Sequence, residues 1–431
     1  MKEYQLINDM EYEYNADIGL SYASPVRGVW NIVHIGTLVP DSHEVFVCPT
    51  SCLRGVVLTT AEMHAMDRLS TITVGEDNIL EGDMEEALQR GCEKIIRELP
   101  VRPRAMLVYT SCVHHFLAVN YQRVYRLLRE EFPDIDFIDC YMDPIMRRTK
   151  PAVPSLWRQI HRLLRPAEKN KKQANLVGNC FVYEKDCDLT VMLEKAGIRV
   201  MDVNTCRDYD TFLEMSASPV NFTFHNTAKT AAKDMQIRLG QQWVHMYPGY
   251  DYGRIDDDMA KAAEAFRIPA PSNEEITNMR FLAESAAADT LHVLGDTPVS
   301  VDYTAVDCPL ELALYLIDHG FHVESVFVDV FTESEDVFKA LKKRAPRLKI
   351  YQSLGWNIRK MERSHEGKIV AIGQKSAYFM NTDYFVNIVE NNGMYGYRGI
   401  CRLMNDLKEA CLEKKPMRDL IQIKGWGCSC G

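Results

Sequence analysis

No stretch of the 431 residues offers about 18 consecutive uncharged apolar side chains, so no segment is expected to cross a bilayer as a helix. Basic charge is in deficit: 50 Lys and Arg face 60 Asp and Glu, a formal −10. That balance argues against nucleic acid as a partner, because sequence-independent binding draws on counterion release by clustered Lys and Arg. Low-complexity tracts and residue-level repeats are missing. With 46% hydrophobic and 26% charged residues, the composition also excludes a disordered chain, a collagen-like repeat or a coiled-coil rod. No P-loop, with its Gly-Lys-Ser/Thr ending, occurs, so any ATP chemistry would belong to a partner. Residues 1–17 are acidic and lack the apolar core of a secretory signal, which makes the cytoplasm the expected location, with no membrane partner. There the 13 cysteines should stay reduced, and an odd number spread along the chain does not resemble a disulfide framework. Most should be buried apolar residues; the question is which minority binds metal.

What is present is alternation. The first part reads as a strand over 44–49, a helix over 83–99, a strand over 104–112, a helix over 113–132 and a strand over 135–142. In the helix over 83–99, Asp83 and Glu86 have capping-box spacing, and Met84, Ala87, Leu88, Gly91, Cys92, Ile95, Ile96 and Leu99 share one stripe. A basic, proline-spotted stretch over 147–172 then reads as a domain boundary. A second series of strands and helices runs over 174–266. After a Pro-rich break at 268–272 comes a bridging helix over 273–288. A third series begins with a strand over 291–294 and ends with a helix over 397–412. Strand–helix alternation implies parallel sheets covered by helices. The expected class is α/β: three doubly wound, Rossmann-like domains over 1–166, 167–272 and 273–431.

In open parallel sheets, ligands bind outside the carboxyl ends of the strands. The first domain places cysteines there. Cys48 ends one strand and Cys52 follows it after Pro49, Thr50 and Ser51; Cys112 ends another just before a helix. A thiol at a helix N-terminus feels the positive end of the macrodipole, which favours the thiolate. Three sulfurs could therefore converge, although Cys-x-x-x-Cys spacing alone is equally met by buried structural cysteines. Of His114 and His115, one should face the core or solvent. Cys140, Cys180, Cys187, Cys206, Cys308, Cys401 and Cys411 read as structural. The tail pair Cys428 and Cys430 can chelate metal, accept a cluster, form a redox pair or do none of these. The spacing Gly393-x-x-Gly396-x-x-Gly399 is not the dinucleotide fingerprint and reads as a permissive loop before a helix.

Several short motifs, in order, carry a resemblance. They are Ser24-Pro25-Val26-Arg27-Gly28-Val29-Trp30-Asn31-Ile32-Val33-His34, Cys48-Pro49-Thr50-Ser51-Cys52, Glu81-Gly82-Asp83, Tyr109-Thr110-Ser111-Cys112 and Asn392-Gly393-Met394-Tyr395-Gly396-Tyr397-Arg398-Gly399. The chain resembles the nitrogenase component-one family: nitrogenase molybdenum–iron protein subunits, cofactor-assembly scaffolds, and the dark-operative protochlorophyllide and nickel-sirohydrochlorin reductases. The resemblance implies an iron–sulfur cluster of 4Fe–4S type held between two related subunits, with Cys52 and Cys112 as ligands. The family's earliest cysteine would fall near 21–23, where this sequence has none, so Cys48 becomes the candidate substitute. Three ligands from one chain, or two from each of two, imply a second component-one-type subunit, identical or related.

Further implications follow from the same resemblance. Electrons would come from a separate ATP-hydrolysing iron protein, and a pocket between the domains would hold substrate or a second metallocofactor, with His225, Asn226, Tyr395 and Arg398 as candidate lining. Where the nitrogenase catalytic subunit has its cofactor's cysteine ligand, this chain has Asn226 beside His225, and the histidine ligand near the carboxyl end is also missing. Nitrogen fixation on the usual cofactor is therefore not expected. A cluster-bearing reductase subunit is expected instead; the alternatives are a scaffold that passes on a cluster without turnover and a non-redox ligand-binding protein. Catalytic acids are not assignable. The basic stretch over 147–172 could be a solvated linker or, through Arg158, Arg162 and Arg165, a docking face for the donor.

Overall fold

A computed structural model describes residues 3–12, 22, 24–26, 31–143, 151–183 and 185–421. The tail cysteines Cys428 and Cys430 lie outside the described residues, as do 147–150 of the basic stretch, 27–30 of the first motif, and Ser21 and Ala23. In chain order the strands are β1 (Tyr4–Leu6), β2 (Ser42–Cys48), β3 (Leu69–Thr73), β4 (Ala105–Ser111), β5 (Asp136–Met142), β6 (Gln173–Leu176) and β7 (Arg199–Asp202). They continue with β8 (Val220–Thr223), β9 (Gln242–His245), β10 (Val299–Asp302), β11 (Val323–Val328), β12 (Lys349–Gln352), β13 (Val370–Ile372) and β14 (Phe385–Val386).

These strands make three sheets, but the chain divides into two discontinuous units. One, of Trp30–Cys180 and Gly197–His245, holds two four-stranded parallel sheets, ordered β3-β2-β4-β5 and β7-β6-β8-β9. We call it the two-sheet unit. Its central strands β2 and β4 are buried along their whole length, as parallel strands covered on both faces must be. One face packs on the helix Met84–Glu98, whose buried Met84, Leu88, Cys92 and Ile96 confirm the stripe read from the sequence. The capping box does not form there. Asp83 instead accepts from Asn78 Nδ2 at 2.9 Å and pairs with Arg90 at 3.1 Å. Arg68 anchors the entry to β2, donating to the carbonyls of Thr37, Val39 and Ser42 at 2.7, 2.6 and 3.1 Å.

The expected linker over 147–172 is, over its described part, ordered structure. Helix Ala152–His161 packs on β5, on helix Ile32–Thr37 and on helix Lys229–Leu239, because Leu156, Trp157 and Ile160 face inward. The arginines of this stretch have acids in the same unit: Arg158 and Arg162 reach Asp234 at 3.2 and 3.8 Å, and Arg165 reaches Asp136 at 2.7 Å. The helix expected over 113–132 is split into Cys112–Phe116 and Tyr121–Glu131, the break falling at Ala118, whose φ is +50°.

The six-strand unit comprises Met1–Val29, Phe181–Ala196 and Met246–Gly431, with sheet order β1-β12-β11-β10-β13-β14. Among the described strands only β1 is antiparallel, pairing Tyr4 with Tyr351. The strand expected over 291–294 is instead the last turn of helix Asn273–Leu294. Leu294 continues the stripe of Ala283, Ala287 and Thr290, which packs on helix Gly396–Leu412, and Thr290 donates to the Met404 carbonyl at 2.9 Å. The strand that opens this series is β10, eight residues later. Gly396, at φ +74°, confirms the permissive loop: a Cβ there would collide with the Asp188 carboxylate, whose oxygen accepts from the Arg398 N–H at 3.2 Å.

Candidate functional site

β2 and β4 run side by side in parallel, with Val47 opposite Thr110, so their carboxyl ends open at one edge. Cys48 is the last residue of β2 and is buried. Pro49 breaks the strand, and Cys52 sits exposed in the first turn of helix Thr50–Glu62, its N–H donating to the Pro49 carbonyl at 2.9 Å. Cys112 is the first residue of helix Cys112–Phe116, directly after β4, and is half-buried.

Electrostatics ties the three together. Burial first, then the neighbouring Cys52 and Cys112 sulfurs, push the Cys48 thiol up to about 12. The Cys112 thiol is also raised, by burial, then by Asp143 and Cys52. Its own N–H and that of Val113 pull the other way, so the helix N-terminus acts in the expected direction but is outweighed. The thiol therefore stays protonated more readily than the sequence suggests. No group of three His, Cys, Asp or Glu among the described residues is gathered to hold a metal ion. A single ion with thiolates at about 2.3 Å needs its sulfurs within roughly 4 Å of one another. What this edge presents is three thiols, soft donors, each within electrostatic reach of another.

The neighbouring histidines separate as their helix positions require. His114 is fully buried, with Nδ1 3.3 Å from Ser111 Oγ, and burial pushes it down to about 4; His115 is exposed. Cys92, Cys140, Cys180, Cys187, Cys308 and Cys411 are buried, and Cys206 and Cys401 half-buried.

Of the four residues expected to line a pocket, His225 and Asn226 lie in the two-sheet unit just after β8, the first buried and the second exposed. Tyr395 and Arg398 lie in the six-strand unit. Tyr395 is buried, and the Arg398 guanidinium pairs with Asp188 at 3.3 Å.

Sequence reasoning missed two features. Glu44, in the middle of β2, is fully buried with no hydrogen-bond partner among the described residues, and burial holds its carboxyl well above the usual range. A carboxylate directly before the apolar run Val45-Phe46-Val47 is the signal that marks it. The six-strand unit also holds a cavity of about 420 Å³ at the carboxyl edge of β11 and β12, bordered by Asp9, Asp329, Phe331 and Gln352. Short β1 makes one of its walls, and three residues are too few to show a period.

The family described as nitrogenase component 1 type oxidoreductase matches residues 33–412. The chain belongs to that family. Among solved structures, this component 1 type chain is similar to one described as "Nitrogenase Cp1 at pH 6.5", with TM-score 0.65 and 14% identity over 93% of this chain and 95% of that one. It is also similar to "Nitrogenase Cp1 at pH 5", with TM-score 0.61 and 13% identity over 90% of each. At such identities the likeness establishes the fold. No curated protein sequence matches. No helix among the described residues is long and apolar enough to cross a membrane.

Proposed function

We propose that this component 1 type chain is an iron–sulfur reductase subunit that takes electrons from a separate ATP-hydrolysing iron protein. The observation that carries this reading is the meeting of Cys48, Cys52 and Cys112 at one sheet edge, within electrostatic reach of one another. They would hold a 4Fe–4S cluster, which supplies storage and release of single electrons at low potential, a task side chains do not perform. Cys48 and Cys112 must release their protons as metal binds. Their backbone setting fixes where they stand, since one ends a strand and the other starts a helix. Cys52, exposed in the first turn of helix Thr50–Glu62, would leave its sulfur accessible to a second component 1 type subunit that completes the ligand set. His225, Asn226, Tyr395 and Arg398 are the candidate contacts to a substrate or a second metallocofactor.

Anaerobic reconstitution followed by iron and sulfide analysis tests the cluster. The expected result is about two irons per chain for a cluster shared by two copies, or four where one chain with a related partner carries it. A colourless, iron-free protein after strict anoxia would leave burial as the only role of these cysteines. Turnover with an iron protein then separates a reductase from a scaffold that holds a cluster and passes it on.

A further inference from the structure

The cavity of about 420 Å³ in the six-strand unit is lined by strands β1, β11 and β12, by the turn after β1 and by the loops after β11 and β12. Strands β10 and β13 contribute none of its described lining, and neither do the cysteines or the candidate substrate contacts named above. Its size falls within the range of small-molecule sites, about 300–1,000 Å³.

One wall is a strip of chain fixed at both ends. β1 pairs with β12, and the Ile7 N–H donates to the Leu348 carbonyl at 2.9 Å with Ile7 fully buried. Further along, Lys342 Nζ, from helix Glu335–Arg344, donates to the Met10 carbonyl at 2.8 Å. The Tyr12 ring stacks on Phe331 with centroids 6.2 Å apart, and its hydroxyl donates to the Glu333 carbonyl at 2.5 Å. The fold therefore sets this wall before a ligand arrives, which spares binding the cost of ordering it.

The wall carries charge of one sign. Glu3, Asp9 and Asp329 line the cavity, and no Lys, Arg or His is among its described lining residues. Asp329 accepts from Ser353 Oγ at 3.3 Å, whereas Glu3 and Asp9 have no ion-pair partner among the described residues. The acids do not converge: no three of them are gathered to hold a metal ion. Glu3 and Asp9 stand at the two ends of a strand and a 3-10 turn, roughly 15 Å of backbone apart. Between them the wall is apolar, with Leu6, Val328 and Ile350.

We propose that this cavity binds a linear aliphatic polyamine, with its ammonium groups on Glu3, Asp9 and Asp329 and its methylene chain along Leu6, Val328 and Ile350. An anion is repelled by this wall, and a compact cation reaches only one of its acids. A chain with ammonium groups at both ends meets separated carboxylates and covers the apolar surface between them. The amide oxygens of Gln352 and Asn357, also on the wall, suit further N–H donors.

Equilibrium dialysis of the full chain against spermidine in 0.15 M NaCl tests the site, since that salt screens loose association with an acidic protein. The expected result is one saturable molecule per chain, with slower hydrogen exchange over residues 4–10. Glu3→Gln with Asp9→Asn should weaken binding on the order of 10- to 100-fold with circular dichroism unchanged. Glu98→Gln with Glu130→Gln, which removes two exposed charges from the other unit, should leave it unchanged. n-Butylammonium should bind at least about 10-fold more weakly than spermidine. Absence of saturable binding by the parent overturns the site. Equal losses in the two double variants, or protection from exchange elsewhere and not over residues 4–10, overturn its location. Butylammonium binding as tightly as spermidine overturns the polyamine as its ligand.

Discussion

The two units bury different kinds of titratable group. In the two-sheet unit His43, His114 and His161 are each pushed down to about 4 by burial, so they are held neutral. In the six-strand unit three buried carboxyls are met by backbone amides: Asp302 accepts from the Thr304 and Ser376 N–H groups, Glu333 from Leu310 N–H, and Asp188 from Arg398 N–H. The lesson concerns pH. A histidine whose folded pKa is depressed contributes stability above about 6.5 that is lost as pH falls toward 4. A carboxyl whose folded pKa is raised, such as Asp188 at about 6, contributes stability that is full below about 3.8 and lost as pH rises through 6. Acid therefore works against the buried histidines of the two-sheet unit while it favours the raised carboxyls, Asp188 in the six-strand unit and Glu44 and Asp202 in the two-sheet unit.

The contrast is broken most decisively at the sulfurs. Cys112→Ser in the two-sheet unit should abolish most iron binding after anaerobic reconstitution, whereas Cys411→Ser, buried in the six-strand unit, should leave iron per chain unchanged. Equal losses would dissolve the distinction. The next effect is on acid unfolding. His161 is fully buried with Nδ1 2.7 Å from the Trp157 carbonyl oxygen and Nε2 unpartnered among the described residues. Its depression from 6.5 to about 4 corresponds to about 3 kcal/mol lost between those pH values. His161→Phe should flatten the fall in urea stability over that window.

Backbone strain comes third. Gly178→Ala and Gly396→Ala each place a Cβ at positive φ against a packed neighbour, one in each unit, and should each cost about 2–3 kcal/mol. Local hydrogen exchange should report each loss within the unit that carries the change. The smallest effect separates two helix starts. Ser272→Ala removes a formed capping box, with Ser272 Oγ accepting from Glu275 N–H at 3.2 Å, and should cost about 1 kcal/mol in thermal unfolding. Asp83→Ala should cost less, since its side chain makes no cap bond.

Periodicity made the α/β class and the strand-end cysteines legible, because both depend on residues close in sequence. Fully buried β2 and β4 announced themselves as apolar runs, and the stripe of helix Met84–Glu98 fixed its inner face. What failed to show were features set by partners far along the chain. The last turn of helix Asn273–Leu294 reads as a strand until Thr290 is seen bonding to Met404. The basic stretch reads as a linker until Asp234 and Asp136 are found opposite its arginines.

The protonated state of Cys48 has a consequence for how such a protein matures in a cell. On the proposed cluster reading, loading iron here would also release acid, so a modest drop in ambient pH would handicap assembly more than it would harm a finished molecule. A newly made chain would then be at its most vulnerable before its first metal arrives.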